Sequence, residues 1–197
     1  MKKNSPFLIV GLGNPGKEYF QTRHNIGAHI VDYFAKDEGV DVKLNAKLNC
    51  FMSTCIIEGW KVIFMIPTTF MNLSGVAVRK VLEYYHIPVS NILILSDDTY
   101  LRFAEVRLKL RGSSGGHNGL RDVEERLKTE EYKRLRIGIG EKQTEDLADF
   151  VLQRFTKEEE SKMDDIAKSC INLIKTLLLE DNNKNQVEKQ KEDLRSN

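Results

Sequence analysis

Cysteine is scarce in this chain and makes no pattern. Cys50, Cys55 and Cys170 are the only three; an odd set with no C-x-x-C pair argues against a disulfide framework and against a structural zinc site, and suits a reducing compartment. No apolar run approaches the roughly 20 residues of a membrane-spanning helix. The opening Met1-Lys2-Lys3-Asn4-Ser5-Pro6 leads into a short apolar segment rather than a secretory core, so the expected location is cytoplasmic, with no membrane partner. A charge excess is missing too. Lys and Arg number 30 against 29 Asp and Glu, a net of +1, which excludes a surface coated evenly in positive charge. Finally, no Cys is suitably placed and a covalent nucleophile has little support, so activated water is the simpler chemistry.

What remains is an ordinary globular composition. With 41% hydrophobic and 30% charged residues among 197, the chain can bury its own core as one domain, expected over residues 1–180, with 181–197 a polar, flexible tail. Phe7–Val10 reads as a buried strand feeding a Gly-rich loop. Ile26, Ile30, Val31 and Phe34 keep helical spacing, with Asn25 as a candidate cap and Gly39 as the stop. Phe51–Ile57 and Lys61–Ile66 flank Gly59 as a hairpin. Ser74 can cap a helix through Val76, Val81 and Leu82 that Pro88 ends before a strand over Ile92–Leu95. Val106, Leu108 and Leu110 alternate with Arg107 and Lys109, the pattern of a half-buried strand with a basic outer face. A short helix over Asn118–Leu127, a strand over Leu135–Gly140 and a helix with Ile166, Ile171, Ile174 and Leu178 on one face follow. Strands alternating with helices give an α/β fold: one mixed, twisted β-sheet flanked by α-helices.

Gly11-Leu12-Gly13-Asn14-Pro15-Gly16 matches G-x-G-x-x-G after a strand, which raises a dinucleotide-binding oxidoreductase as an alternative. Context speaks against it. Pro15 and the stretch Lys17–His24 separate the glycines from the helix, and the one acid near the expected spacing, Asp32, falls inside the helical pattern rather than after a second strand. The same loop delivers Asn14, Tyr19, Arg23, His24 and Asn25 beyond the end of the first strand, where open α/β sheets place their sites. His24 can take a proton from water near neutral pH if a second group fixes its tautomer, and Asp97, after the strand Ile92–Leu95, is a candidate for that group. The amides of Asn14, Asn72 and Asn118 can both donate and accept, which suits orienting a peptide and polarising an ester carbonyl. A basic segment holds Arg102, Arg107, Lys109, Arg111 and Arg121 against the single acid Glu105, a candidate phosphate-binding patch.

Four blocks carry a resemblance. Gly11–Gly16 with Tyr19 and Thr22-Arg23-His24-Asn25-Ile26-Gly27, then Pro67–Gly75, then Gly115-Gly116-His117-Asn118-Gly119-Leu120, and Arg134–Gly140 occur in the order and approximate spacing of bacterial-type peptidyl-tRNA hydrolases, and the chain resembles that family over about residues 7 to 155. The resemblance implies an esterase that frees tRNA from a stalled peptide without a metal or organic cofactor, acting as a monomer. It implies His24 as the base and Asp97 as its support. Asn14, Tyr19, Met71, Asn72, His117 and Asn118 would meet the substrate, and Lys109 and Arg136, with Arg107, Arg111 and Arg134 as neighbours, would contact tRNA phosphates. One block departs from the family. After Asp97-Asp98 the usual Leu-Asp-Leu-Pro-like run and glycine are replaced by Thr99-Tyr100-Leu101-Arg102-Phe103-Ala104, with Tyr100 in place of the aspartate and Arg102 in place of the proline. Chloroplast splicing factors similar to these hydrolases form a second, non-enzymatic class; an exposed apolar docking surface would mark that class.

Overall fold

The computed structural model describes residues 5–140 and 146–195, with the backbone alone from residue 184 onward. Among the described residues, seven strands and six α-helices follow in the order β1 (Phe7–Gly11), α1 (Ile26–Asp37), β2 (Lys43–Asn45), β3 (Cys50–Ile57), β4 (Trp60–Pro67), α2 (Ser74–Tyr85), β5 (Ile92–Asp98), β6 (Val106–Lys109), α3 (Asn118–Leu127), β7 (Lys133–Gly138), α4 (Leu147–Leu152), α5 (Lys157–Glu160) and α6 (Met163–Arg195). The strands form one sheet in the order β2-β3-β4-β1-β5-β7-β6. β4, β1, β5 and β7 are parallel neighbours, whereas β2, β3 and β6 join antiparallel at the flanks. The expected mixed α/β sheet is therefore the observed one.

Strand β1 shows why the sheet lies at the centre. Its side chains Phe7 to Val10 are fully buried, and because successive side chains point to opposite faces, Phe7 and Ile9 pack with Ile30 and Phe34 of α1 and Ile166, Ile171, Ile174 and Leu178 of α6. Leu8 and Val10 face the other way, onto Val78 and Val81 of α2 and Leu120 and Val123 of α3. Each fully buried side chain of this kind contributes roughly 1.5–3 kcal/mol. Among the described residues, no helix is long and apolar enough to cross a membrane.

Local chemistry departs from the sequence expectations in instructive places. The hairpin between β3 and β4 turns on Glu58 and Gly59 at φ 47° and 78°, the left-handed pair that a two-residue turn requires. Helix α2 stops at His86, which adopts φ 53°, two residues ahead of Pro88. Ser74 does not cap α2: its hydroxyl donates to Met71 O at 2.8 Å, and Asp122 of α3 accepts from the Gly75 amide at 2.7 Å instead. Strand β6 is not half-buried. It sits at the sheet edge with a single neighbour, and Leu108 and the following Leu110 are 37% and 64% exposed. Beyond residue 180 the backbone stays helical to Arg195, while Ser196 and Asn197 lie outside the described residues.

Candidate active site

Glycines in this fold bring the loop that carries His24 to the sheet. A Cβ on Gly11 would lie 2.3 Å from Gly27 O, and one on Gly27 would lie 2.3 Å from Leu95 O. The opening turn of α1 thus rests backbone to backbone on β1 and β5, an approach that only glycine permits. The Ala28 amide at that turn already donates to Leu12 O at 3.0 Å, and the Leu12 amide to Leu95 O at 3.1 Å. A pyrophosphate would need such amides free, so the G-x-G-x-x-G sequence here is a packing device. Asn25, expected as a helix cap, closes the same loop: its Oδ1 accepts from the Asn14 amide and its Nδ2 donates to Asn14 O, both at 2.9 Å.

The result is that His24, in the 3-10 turn Arg23–Asn25, meets the end of β5. That strand runs past Leu95 to Asp98, so Asp97 projects from the strand itself. Asp97 Oδ1 lies 2.8 Å from His24 Nδ1 and 3.0 Å from His117 Nε2. His117 is the N-cap of α3, and its Nδ1 accepts from the Gly119 and Leu120 amides at 3.1 and 3.2 Å. An accepting Nδ1 carries no proton, so Nε2 must carry it and donate to Asp97. His24 likewise donates from Nδ1, which leaves its Nε2 as the unprotonated nitrogen. Burial disfavours charge on both partners, yet the imidazoles facing Asp97 outweigh it and hold the carboxyl well below the usual range. For His24, burial pulls down and the Asp97 carboxylate pushes up more strongly, so its pKa lies above 6.5.

Ligand atoms of His24, Asp97 and His117 fall within 4.8 Å of one another, close enough to test as a metal set. They do not fit one. A metal on His117 Nε2 would force the proton onto Nδ1, against the two amides that already donate there.

His24, Asp97, His117 and Asn118 line one cavity of about 640 Å³, walled by the loop of residues 112–116 and by Leu147, Ala148 and Val151 of α4. Asn14, Tyr19, Met71 and Asn72 are not among its walls. They form an adjoining group: Asn14 Oδ1 accepts from the Met71 amide at 2.8 Å, Tyr19 meets Phe70 edge-on at 6.4 Å, and Asn72 is exposed. Met71 links the two groups, its sulfur lying 2.5 Å from where a Cβ on Gly119 would sit.

Of the basic candidates, Lys109, Arg111, Arg134 and Arg136 line the cavity. Arg136 is paired with Asp98. Arg107 is bound to Glu105 at 2.6 Å, and Arg111 lies 3.9 Å from Glu131. Arg134 is the most buried of these. It is 2% exposed, donates to Ser113 O at 2.6 Å, and pairs with Glu124 at 3.1 Å, holding the 112–116 loop from beneath. Sequence reasoning did not foresee the anchor beside His24. Arg23 is buried between the rings of Phe150 and Phe155, each 4.9 Å away, and binds Glu159 through two hydrogen bonds of 2.9 and 2.8 Å.

A carboxylate-supported imidazole at the carboxyl end of a central strand, opening into a polar cavity with cations on one side, is an arrangement suited to a hydrolase acting on an anionic substrate. The comparisons are more specific. A family model described as peptidyl-tRNA hydrolase matches residues 8–196. The peptidyl-tRNA hydrolase of Geobacillus kaustophilus is 46% identical over 158 residues, 80% of this chain and 84% of that protein. That of Clostridium tetani is 41% identical over 172 residues, 87% and 90% of the two chains. The crystal structure of the Acinetobacter baumannii peptidyl-tRNA hydrolase superposes with a TM-score of 0.83 at 36% identity, covering 96% of this chain and 94% of that one. The chain belongs to the peptidyl-tRNA hydrolase family.

Proposed function

We propose that this protein hydrolyses the ester between peptide and tRNA in peptidyl-tRNA, with His24 as general base toward water. The observation that carries the mechanism is the shared Asp97 oxygen, which accepts from His24 Nδ1 at 2.8 Å and His117 Nε2 at 3.0 Å and so leaves His24 Nε2 as the acceptor. Water gives a proton to Nε2 as its oxygen attacks the ester carbonyl. Asp97 stabilises the imidazolium, and Asn118, on the same cavity, is the donor assigned to the oxyanion. Collapse breaks the bond to the ribose 3′ oxygen, which takes the proton back from His24, and free peptide acid and tRNA leave.

Asn14, Tyr19, Met71 and Asn72 are assigned to the peptide portion, next to the cavity. Lys109, Arg136, Arg107 and Arg111 are assigned to tRNA phosphates, contacts that position without reading sequence and suit acceptance of many tRNAs. We place the enzyme in the cytoplasm, in line with its bacterial relatives, and read it as a monomer. The test is turnover of N-acetyl-aminoacyl-tRNA by the purified chain: release of intact tRNA and acylated amino acid supports the reading, and tight binding without cleavage overturns it.

A further inference from the structure

We propose that Tyr100 is the stacking platform for the terminal base of the tRNA 3′ end, a role that rests on the proposed cleavage of tRNA esters. Tyr100 is 78% exposed, the most exposed large hydrophobic side chain among the described residues, and it lines the same cavity as His24 and Asp97. Among the described residues its ring pairs with no other ring and its hydroxyl has no partner. The ring therefore has no packing role in the fold. Its backbone is nonetheless held. Asp98, 7% exposed, accepts from the Tyr100 amide on Oδ1 at 2.9 Å and pairs through Oδ2 with Arg136, so one buried carboxylate fixes both an aromatic residue and a cation at the cavity.

The substrate's chemistry says what belongs there. The scissile ester hangs on the 3′ oxygen of the last ribose, so the last base lies within one sugar of the carbonyl that His24 must reach. Single-stranded ends are held by cations along the backbone and by aromatic rings under the bases. This cavity offers both, with Lys109 and Arg136 as cations and Tyr100 as the exposed ring, while Leu147 and Val151 supply apolar surface from α4. Tyr100 stands where the family pattern carries an acid. An aspartate there would repel a phosphate, and a tyrosine offers a π-face instead.

The test uses the full chain and a short RNA ending in cytidine-cytidine-adenosine, its N-acetyl-aminoacyl group held by an amide in place of the ester, beside the same RNA with an abasic last nucleotide. Fluorescence anisotropy on the wild type should show about tenfold tighter binding of the adenosine-ended RNA, in keeping with one stacked base. Tyr100→Ala should erase that preference and Tyr100→Phe should keep it, and KM for N-acetyl-aminoacyl-tRNA should follow with kcat little changed. Equal binding of the two RNAs by the wild type, or an undiminished preference in Tyr100→Ala, overturns the proposal. Wild-type turnover of N-acetyl-aminoacyl-tRNA is scored separately, so a preference without turnover would count against the hydrolase reading and leave the platform standing.

Discussion

In the proposed mechanism His24 works as the neutral imidazole, and its environment predicts how activity depends on pH. Burial lowers its pKa and Asp97 raises it by more, so the group titrates above its ordinary 6.5. A base must be unprotonated; kcat/KM should therefore rise with pH along an acid limb centred above 6.5 and flatten beyond it. In Asp97→Asn the burial remains and the opposing charge is gone, so the limb should move to lower pH while the plateau falls; a limb that stays in place would deny that Asp97 supports this imidazole. His117→Ala removes both a donor to Asp97 and the N-cap of α3, and should cost about 1 kcal/mol in urea unfolding besides its effect on rate. His24 and Asp97 were legible in the sequence because one follows a loop and the other ends a strand. The bond from His117 to Asp97 was not: the block around His117 pointed only to substrate, and a contact between a strand end and a helix cap 20 residues apart in sequence is set by how α3 packs.

At the scale of elements, hydrophobic period located the strands and helices well, and interactions made across the fold escaped it. Asp122 in place of Ser74 at the start of α2, and Asn25 turned back onto Asn14, both replace a local hydrogen bond with one between segments distant in sequence. Strand β6 carries an alternating pattern but lies at the edge, where Leu108 stays exposed. The loop before it holds Ala104 at φ 66°, a left-handed conformation disfavoured by any side chain, at the position where the family pattern has glycine. Ala104→Gly should stabilise the chain by about 1 kcal/mol, roughly 2–4 °C in Tm by calorimetry; a lower Tm would mean the loop is not strained there. The pair of Arg23 and Glu159 ties the His24 turn to α5. Glu159→Ala leaves a buried guanidinium without its carboxylate, and should cost about 3–5 kcal/mol in urea unfolding.

For the whole molecule, a net charge of +1 conceals an uneven distribution, with Lys109, Arg111 and Arg136 gathered at the cavity. Arg136, Arg107 and Arg111 all face an acid, whereas Lys109 has none among the described residues. Lys109→Ala should therefore weaken tRNA affinity and reduce the slope of log affinity against log salt by about 1. An unchanged slope would remove Lys109 from the phosphate contacts. The account as a whole turns on His24, and single-turnover cleavage of N-acetyl-aminoacyl-tRNA by folded His24→Ala, with tRNA affinity measured separately at matched salt, tests it most directly. Cleavage should fall about 10²–10⁴-fold with affinity nearly unchanged; near-normal cleavage by the folded variant, or a trapped peptidyl-enzyme in the wild type, would contradict it.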